Sequence, residues 1–445
     1  NMGESKGPSS PRLKPNVLGF WALVFYAVAV IAPAGVFAIT GTTAMAYAGE
    51  TAPLAFLVGG LALFSAIIPI YIYSQYVHSA GGYYKFVEAG IPKKYLSKSV
   101  AFWHIFWTVI GNAQENLAVV WFTWAGLSTL LHINLSLYAV ILISLIVPVL
   151  YLIIGYFGIE FAGITAIIVG LIQVLVFTAL AIALVVKTPY NSLAYFNISN
   201  SLGGLHGFFL AVLVGAFLAY GGYGSVVSLG EEAKFPEKSL KLAIVTALSM
   251  MVAYATFVVY SIVSASGPHL STVVSTLAPG IYVTQQYLGS GTGTFAYLFT
   301  VIAMLFAPVV LGNSGARTVF SLARDGVLPK SLAKVHKKYG SPYMATIFVF
   351  LVNIIVTYAT EIPMIYYYGE GNGLFYANVL WITGMVVFTL LYHIVVNISL
   401  PFFIKRAGLK LNVLSHIIGP NIATIIMALD IYYSLLGLTW PLSLI

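Results

Sequence analysis

Apolar residues run along this chain in blocks of about 20, the length of helix that crosses a hydrocarbon layer, with short polar or glycine-bearing segments between them. Eleven spans are expected, numbered 1 to 11 in order, at 17–48, 53–76, 100–131, 137–156, 161–186, 207–229, 240–263, 295–322, 344–360, 374–403 and 414–435. Two of them carry interruptions. Span 1 is long and contains Pro33, which removes a backbone donor and clashes with the preceding turn. Span 6 runs through Gly221, Gly222 and Gly224. In hydrocarbon an opened helix survives only where it faces protein or a water-filled cavity, so Ala219 to Gly224 is expected to form a backbone-lined binding site at mid-membrane.

Composition agrees with the pattern. The chain has 445 residues, 60% hydrophobic and 7% charged, far from the quarter or so of charged residues in soluble domains. Its net charge of +8 would suggest nucleic acid or an acidic partner in a soluble protein, but placement decides otherwise. Of the 20 Lys and Arg, all but Lys187 fall in the N-terminal tail, the loops after spans 2, 6, 8 and 10, or the end of span 8. The positive-inside rule then places the N-terminus in the cytoplasm, in a multi-pass cell-membrane protein, and the excess charge reports topology rather than nucleic-acid binding. The length of span 1 argues against a cleavable signal peptide. The absence of cysteine removes disulfides, thiolate metal sites and cysteine nucleophiles. Asn134 and Asn197 start sequons in loops expected outside.

The breaks in spans 1 and 6 lie five spans apart, the arrangement expected of two inverted five-helix halves with a site between them. The expected organisation is a tail at 1–15, a first repeat at 16–186, a second at 205–404 and a peripheral span at 411–436. Between the halves, several polar residues lie inside apolar spans. Span 3 holds Asn112, Gln114, Glu115 and Asn116; a carboxyl at that depth is a functional candidate by default. Span 5 holds Gln173. Past span 6, Glu231, Glu232, Lys234 and Lys238 form a charged hairpin that reads either as an inner gate or as a loop ion-pair cluster, and Arg317 is expected to snorkel or pair near the same face. Asp430 and His393 lack an evident partner and are expected to be structural.

These features resemble the amino acid–polyamine–organocation superfamily along nearly the whole chain. The carrying motifs are Ala32-Pro33-Ala34-Gly35-Val36-Phe37 in span 1, Ser79-Ala80-Gly81-Gly82-Tyr83-Tyr84 at the exit of span 2, and Tyr220-Gly221-Gly222-Tyr223-Gly224 followed by Glu231-Glu232 and Pro236. The resemblance implies an all-α polytopic fold of the leucine-transporter type: a 5+5 inverted-repeat core with discontinuous helices 1 and 6 and a peripheral helix. Family members usually carry twelve spans, where eleven are legible here. A zwitterion would fit such breaks, its carboxylate on N–H groups of Ala34, Gly35 and Val36 and of Gly222 to Gly224, its ammonium on carbonyls near Val30, Ile31, Leu218, Ala219 and Gly221. Phe217, Tyr220 and Tyr223 would flank the side chain.

Two departures bear on coupling. Proton-coupled relatives carry a lysine in span 5 where Gln173 stands, and sodium-coupled relatives carry hydroxyls in span 8 where Leu305, Phe306, Ala307 and Pro308 stand. Glu115 is left as the candidate proton carrier. The expected function is secondary transport of amino acids, neutral rather than dicationic because neither break holds an acidic residue, or of related amines, by alternating access. Proton symport competes with uncoupled exchange and with a substrate-sensing role on a transporter scaffold. No HExxH, Walker loop or nucleophile elbow occurs, so no enzymatic activity and no cofactor are expected, and the partners are a small substrate, protons and the bilayer.

Overall fold

A computed structural model describes residues 11–436 and residue 438. Most of the expected 1–15 tail lies outside them. Among the described residues the regular structure is helical, apart from one isolated parallel bridge between Leu18 and Ala233. The protein is an all-α polytopic membrane protein.

Eight helices among the described residues are long and apolar enough to cross a membrane. The difference from eleven has physical causes. Tyr343–Arg406 is two helices, spans 9 and 10, merged across Gly369, whose φ of 77° breaks the helical run. Span 6 enters as the short apolar helix Gly204–Phe217 and stops at its break. Span 3 is helical from Lys94 to Leu130 in three contiguous pieces, but Asn112, Gln114, Glu115 and Asn116 dilute its apolar character.

Those polar residues hold span 3 in place. Asn112 donates to Pro308 O at 2.6 Å and accepts from Asn353 Nδ2 at 2.7 Å. Asn116 donates to Ser144 O at 2.9 Å and Thr357 Oγ1 at 3.1 Å, and Ser144 donates to the buried Glu361. Spans 3, 4, 8 and 9 are thereby tied together where apolar packing against lipid-like surfaces offers little directional preference.

Span 1 is at the centre. Its apolar window is 83% buried, against 28% for span 5 and 22% for span 11, so the last two face the lipid over most of their surface. The Phe20–Ile31 helix packs on Pro236–Ser266, Ile159–Lys187 and Phe306–Arg324. The segment between spans 7 and 8 forms Leu270–Val274 and Pro279–Leu288, and the latter lies over the second half of span 1. A Cβ on Gly280 would come 2.0 Å from Phe37 O.

Basic segments converge on one face. Val17 and Leu18 N–H groups donate to Glu232 O at 2.9 and 3.0 Å, and Lys234 N–H donates to Leu18 O at 2.8 Å, strapping the lead-in of span 1 to the exit of span 6. The glycines after spans 2 and 6 serve the same junction. Gly82 sits at φ 53° beside Ser228 N, and Gly230 is pressed against His78 and Ser79. A side chain at either position would meet backbone.

Candidate functional site: two broken helices around a cavity

Both interruptions are real breaks. The Phe20–Ile31 helix ends at Ala32, a non-glycine residue in the left-handed region at φ 54°, and the chain resumes helically at Pro33. Such a conformation is costly for a residue with a Cβ and persists because its neighbours fix it. Span 6 ends its first half at Leu218–Ala219 and turns through Gly222, at φ 113°. It restarts as the tight helical segment Tyr223–Leu229. The breaks touch: a Cβ on Gly222 would lie 2.4 Å from Val30 Cγ1.

The two breaks differ in how much of their backbone is free. On span 1, Ala34 N–H donates to Gln173 Oε1 at 3.2 Å and Val36 N–H to Ala32 O at 3.0 Å. Pro33 O accepts from Tyr254 Oη at 2.7 Å. On span 6, Gly221 N–H donates to Leu218 O, but the N–H groups of Gly222, Tyr223 and Gly224 meet no acceptor among the described residues. Free N–H groups at the start of a helical segment form an anion cradle.

A cavity of about 180 Å³ opens against that cradle. Of the site residues expected from sequence, Val30, Phe217, Leu218, Gly221, Gly222, Tyr223 and Glu115 line it. Ile31, Ala34, Gly35, Val36, Ala219 and Tyr220 are not in its wall. The expectation of a carboxylate on Ala34 and Val36 therefore meets N–H groups that already have acceptors in this conformation. Tyr220 turns away to donate to Phe56 O at 3.0 Å. Gln173 reaches the span 1 break, where it acts as an acceptor for backbone.

Sequence reasoning missed much of the wall. Tyr83 from the glycine exit of span 2, Trp107 from span 3, Met385, Thr389 and His393 from span 10, and Met427 from span 11 all border the cavity. His393, expected to be structural, was detectable as an ionisable residue inside a span. Asp430, expected to be structural as well, is buried with both carboxyl oxygens unpartnered among the described residues.

On the basic face lies a layer of ion pairs. Arg317, fully buried, donates Nε to Glu232 Oε2 at 2.6 Å and Nη2 to Oε1 at 3.1 Å, while Nη1 holds Asn313 O at 3.0 Å. Arg324 grips Glu231 in the same two-pronged way at 2.9 and 2.6 Å, and Glu231 also accepts from Ala80 N–H at 2.9 Å. Burial alone would raise the Glu231 carboxyl, but these bonds outweigh it and hold its pKa below the ordinary value. Lys85 bridges Glu88 and Asp325, each at 2.7 Å. Spans 2, 6 and 8 are thus cross-linked by charge at one end of the molecule.

A family model described as amino acid permease matches residues 22–443, across both breaks and the ion-pair layer. The chain belongs to the amino acid permease family. It is similar to the branched-chain amino acid permease BcaP of Bacillus subtilis (strain 168), 28% identical over 351 residues, which cover 74% of this chain and 72% of that protein. The protein of the same name from Lactococcus lactis subsp. cremoris is 30% identical over 204 residues, 44% of this chain and 43% of its own length. Cationic amino acid transporter 5 of Arabidopsis thaliana is 22% identical over 403 residues, 87% of this chain and 66% of that protein. The family and these relatives are permeases and transporters, so the chain is a membrane transport protein rather than an enzyme.

Proposed function

We propose that the protein carries neutral amino acids across the cell membrane by alternating access, with residues 16–186 and 205–404 acting as two inverted five-helix halves, 411–436 as a peripheral span, and the N-terminus in the cytoplasm. The observation that carries this reading is the set of free N–H groups of Gly222, Tyr223 and Gly224 in the wall of a small, largely apolar cavity. They would hold the substrate carboxylate, and the carbonyls at the ends of the first halves of spans 1 and 6, with Val30, Leu218 and Gly221 at the cavity, would hold the ammonium. The ion pairs of Glu231, Glu232 and Arg317 act as the inner gate. The names of the bacterial relatives favour a neutral substrate.

Glu115 lines the cavity and has no hydrogen-bond partner among the described residues, which suits a group that must load and release a proton. Proteoliposome uptake tests both levels. Saturable, stereoselective accumulation is expected; binding without flux would support a sensor, and unsaturable conductance a channel. Glu115→Gln should abolish uptake driven by a pH gradient while sparing exchange, and unchanged proton-driven uptake would refute the coupling role.

A further inference from the structure

Beside the N–H cradle the cavity has a second polar wall, so close that a Cβ on Gly224 would come 1.6 Å from Tyr83 Oη. Tyr83, Thr389 and His393 line it, and Tyr83 Oη, Thr389 Oγ1 and His393 Nε2 are each buried without a hydrogen-bond partner among the described residues. Behind them Tyr392 Oη and His104 Nε2 are in the same condition. The five side chains form one group: ring centroids lie 4.5 Å apart for Tyr392 and His393, 4.7 Å for Tyr83 and Tyr392, and 5.2 Å for Tyr83 and His104. Scattered orphan atoms occur in most folds, but a cluster of them beside a cavity calls for an occupant.

The chemistry of that occupant follows from the tautomers. His393 Nδ1 lies 2.8 Å from Thr389 O, which can only accept, so Nδ1 carries the proton and Nε2 presents a lone pair. His104 Nδ1 lies 3.0 Å from Thr318 Oγ1, whose own proton is directed to Ser314 O, so this imidazole also leaves Nε2 as an acceptor. The wall therefore combines imidazole lone pairs with hydroxyls that both donate and accept, and it seeks a polar partner able to do the same. Among the described residues no Lys or Arg lines the cavity.

We propose that this wall is the subsite that reads the substrate side chain, and that it selects small neutral amino acids bearing a hydroxyl or amide donor over aliphatic ones of the same shape. The proposal rests on the amino acid transport reading. An aliphatic side chain would leave His393 Nε2 and the two hydroxyls dry, and sites built to hydrogen-bond a ligand reject the analogue that lacks the group far more strongly than apolar pockets reject an added one.

Threonine and valine, alike in shape except for the hydroxyl, provide the test. Reconstituted wild-type protein is expected to take up threonine with a kcat/KM at least about tenfold above that for valine. Tyr83→Phe, which removes one oxygen only, and His393→Leu should each compress the ratio through loss of threonine, while His393→Gln, which restores a side-chain acceptor, should keep part of it. Size-exclusion profiles of the purified variants check that they fold. A wild-type ratio near one means that ordered water alone satisfies the wall and overturns the proposal, as does an unchanged ratio in both Tyr83→Phe and His393→Leu. If other amino acids are transported but these two are not discriminated, the subsite fails alone. If no amino acid is taken up or shifts thermal stability, the transport reading fails and takes the subsite with it.

Discussion

Replacing Glu232 by Gln separates a lock from a strut. The substitution keeps the shape of the side chain and one acceptor oxygen but removes the charge that faces a fully buried guanidinium. Removing one partner of a buried ion pair costs about 3–5 kcal/mol, because the remaining charge stays out of water. Arg317 keeps Asn313 O through Nη1, so the low end, about 3 kcal/mol, is the better figure. If the pair forms only in the conformation closed at the basic face, that cost falls on one state and moves the equilibrium toward the open one by roughly a hundredfold. The sequence contains no cysteine, so Ser225→Cys introduces a single thiol between the cavity and the ion pairs, at a residue that is buried and whose hydroxyl has no partner among the described residues. Labelling of that thiol by a membrane-impermeant maleimide applied to the basic face should accelerate strongly when Glu232→Gln is added. Glu232→Met with Arg317→Met should restore thermal stability, since the buried charge is gone, yet keep labelling fast. A fall in Tm with labelling unchanged would show that the pair is a static support, and the gating argument would be refuted.

Three further outcomes are expected. Gly222→Ala forces a Cβ to within 2.4 Å of Val30 Cγ1 at a φ of 113° and should abolish substrate-induced thermal stabilisation while leaving the protein monodisperse; retained stabilisation would remove Gly222 from the site. Gln173→Leu strips the acceptor from buried Ala34 N–H, a loss of about 1–3 kcal/mol to be read as a lower Tm, whereas Gln173→Glu, which still accepts, should recover most of it. The Glu231 carboxyl is held below its ordinary value of 4.5, so its contribution is complete above that pH and disappears as pH falls through the lower folded-state value; a Tm scan should show an acid decline that Glu231→Gln flattens.

What the sequence revealed and what it hid follow from the physics of the bilayer. Glycines and a proline inside apolar runs are unusual enough to announce both breaks, and lysine placement sorts the loops, because the membrane penalises each of these features locally. The partners of the charged residues were not legible. Glu231 meets Arg324 across 93 positions and Glu232 meets Arg317 across 85, distances over which no periodicity speaks. The cavity wall was harder still. Met385, Leu311 and Met427 face the cavity, while Ile168, Leu175 and Ile425 face outward, and all are apolar, because lipid and a largely apolar cavity select the same side chains. Glu361 and Asn353 went unremarked because their role is to position other helices rather than to interrupt their own.

The unequal state of the two breaks bears on how binding would drive motion. The span 1 break is held by protein groups in this conformation: Gln173 on Ala34 N–H, Tyr254 on Pro33 O, and the Pro279–Leu288 helix against Phe37. The span 6 break packs against Val30 and Tyr83, while the N–H groups of Gly222, Tyr223 and Gly224 meet no acceptor among the described residues. A ligand stabilises a conformation only by contacts that differ between states. In this state the available differential lies on span 6, and for the span 1 N–H groups to join the site, Ala34 must first leave Gln173. Loss of that hydrogen bond would free the backbone just past the break, and the Phe20–Ile31 half before it is strapped to Glu232 through Val17 and Leu18. On this argument Gln173 would work as a latch on the span 1 break, a task that needs an acceptor at that position and no titratable proton.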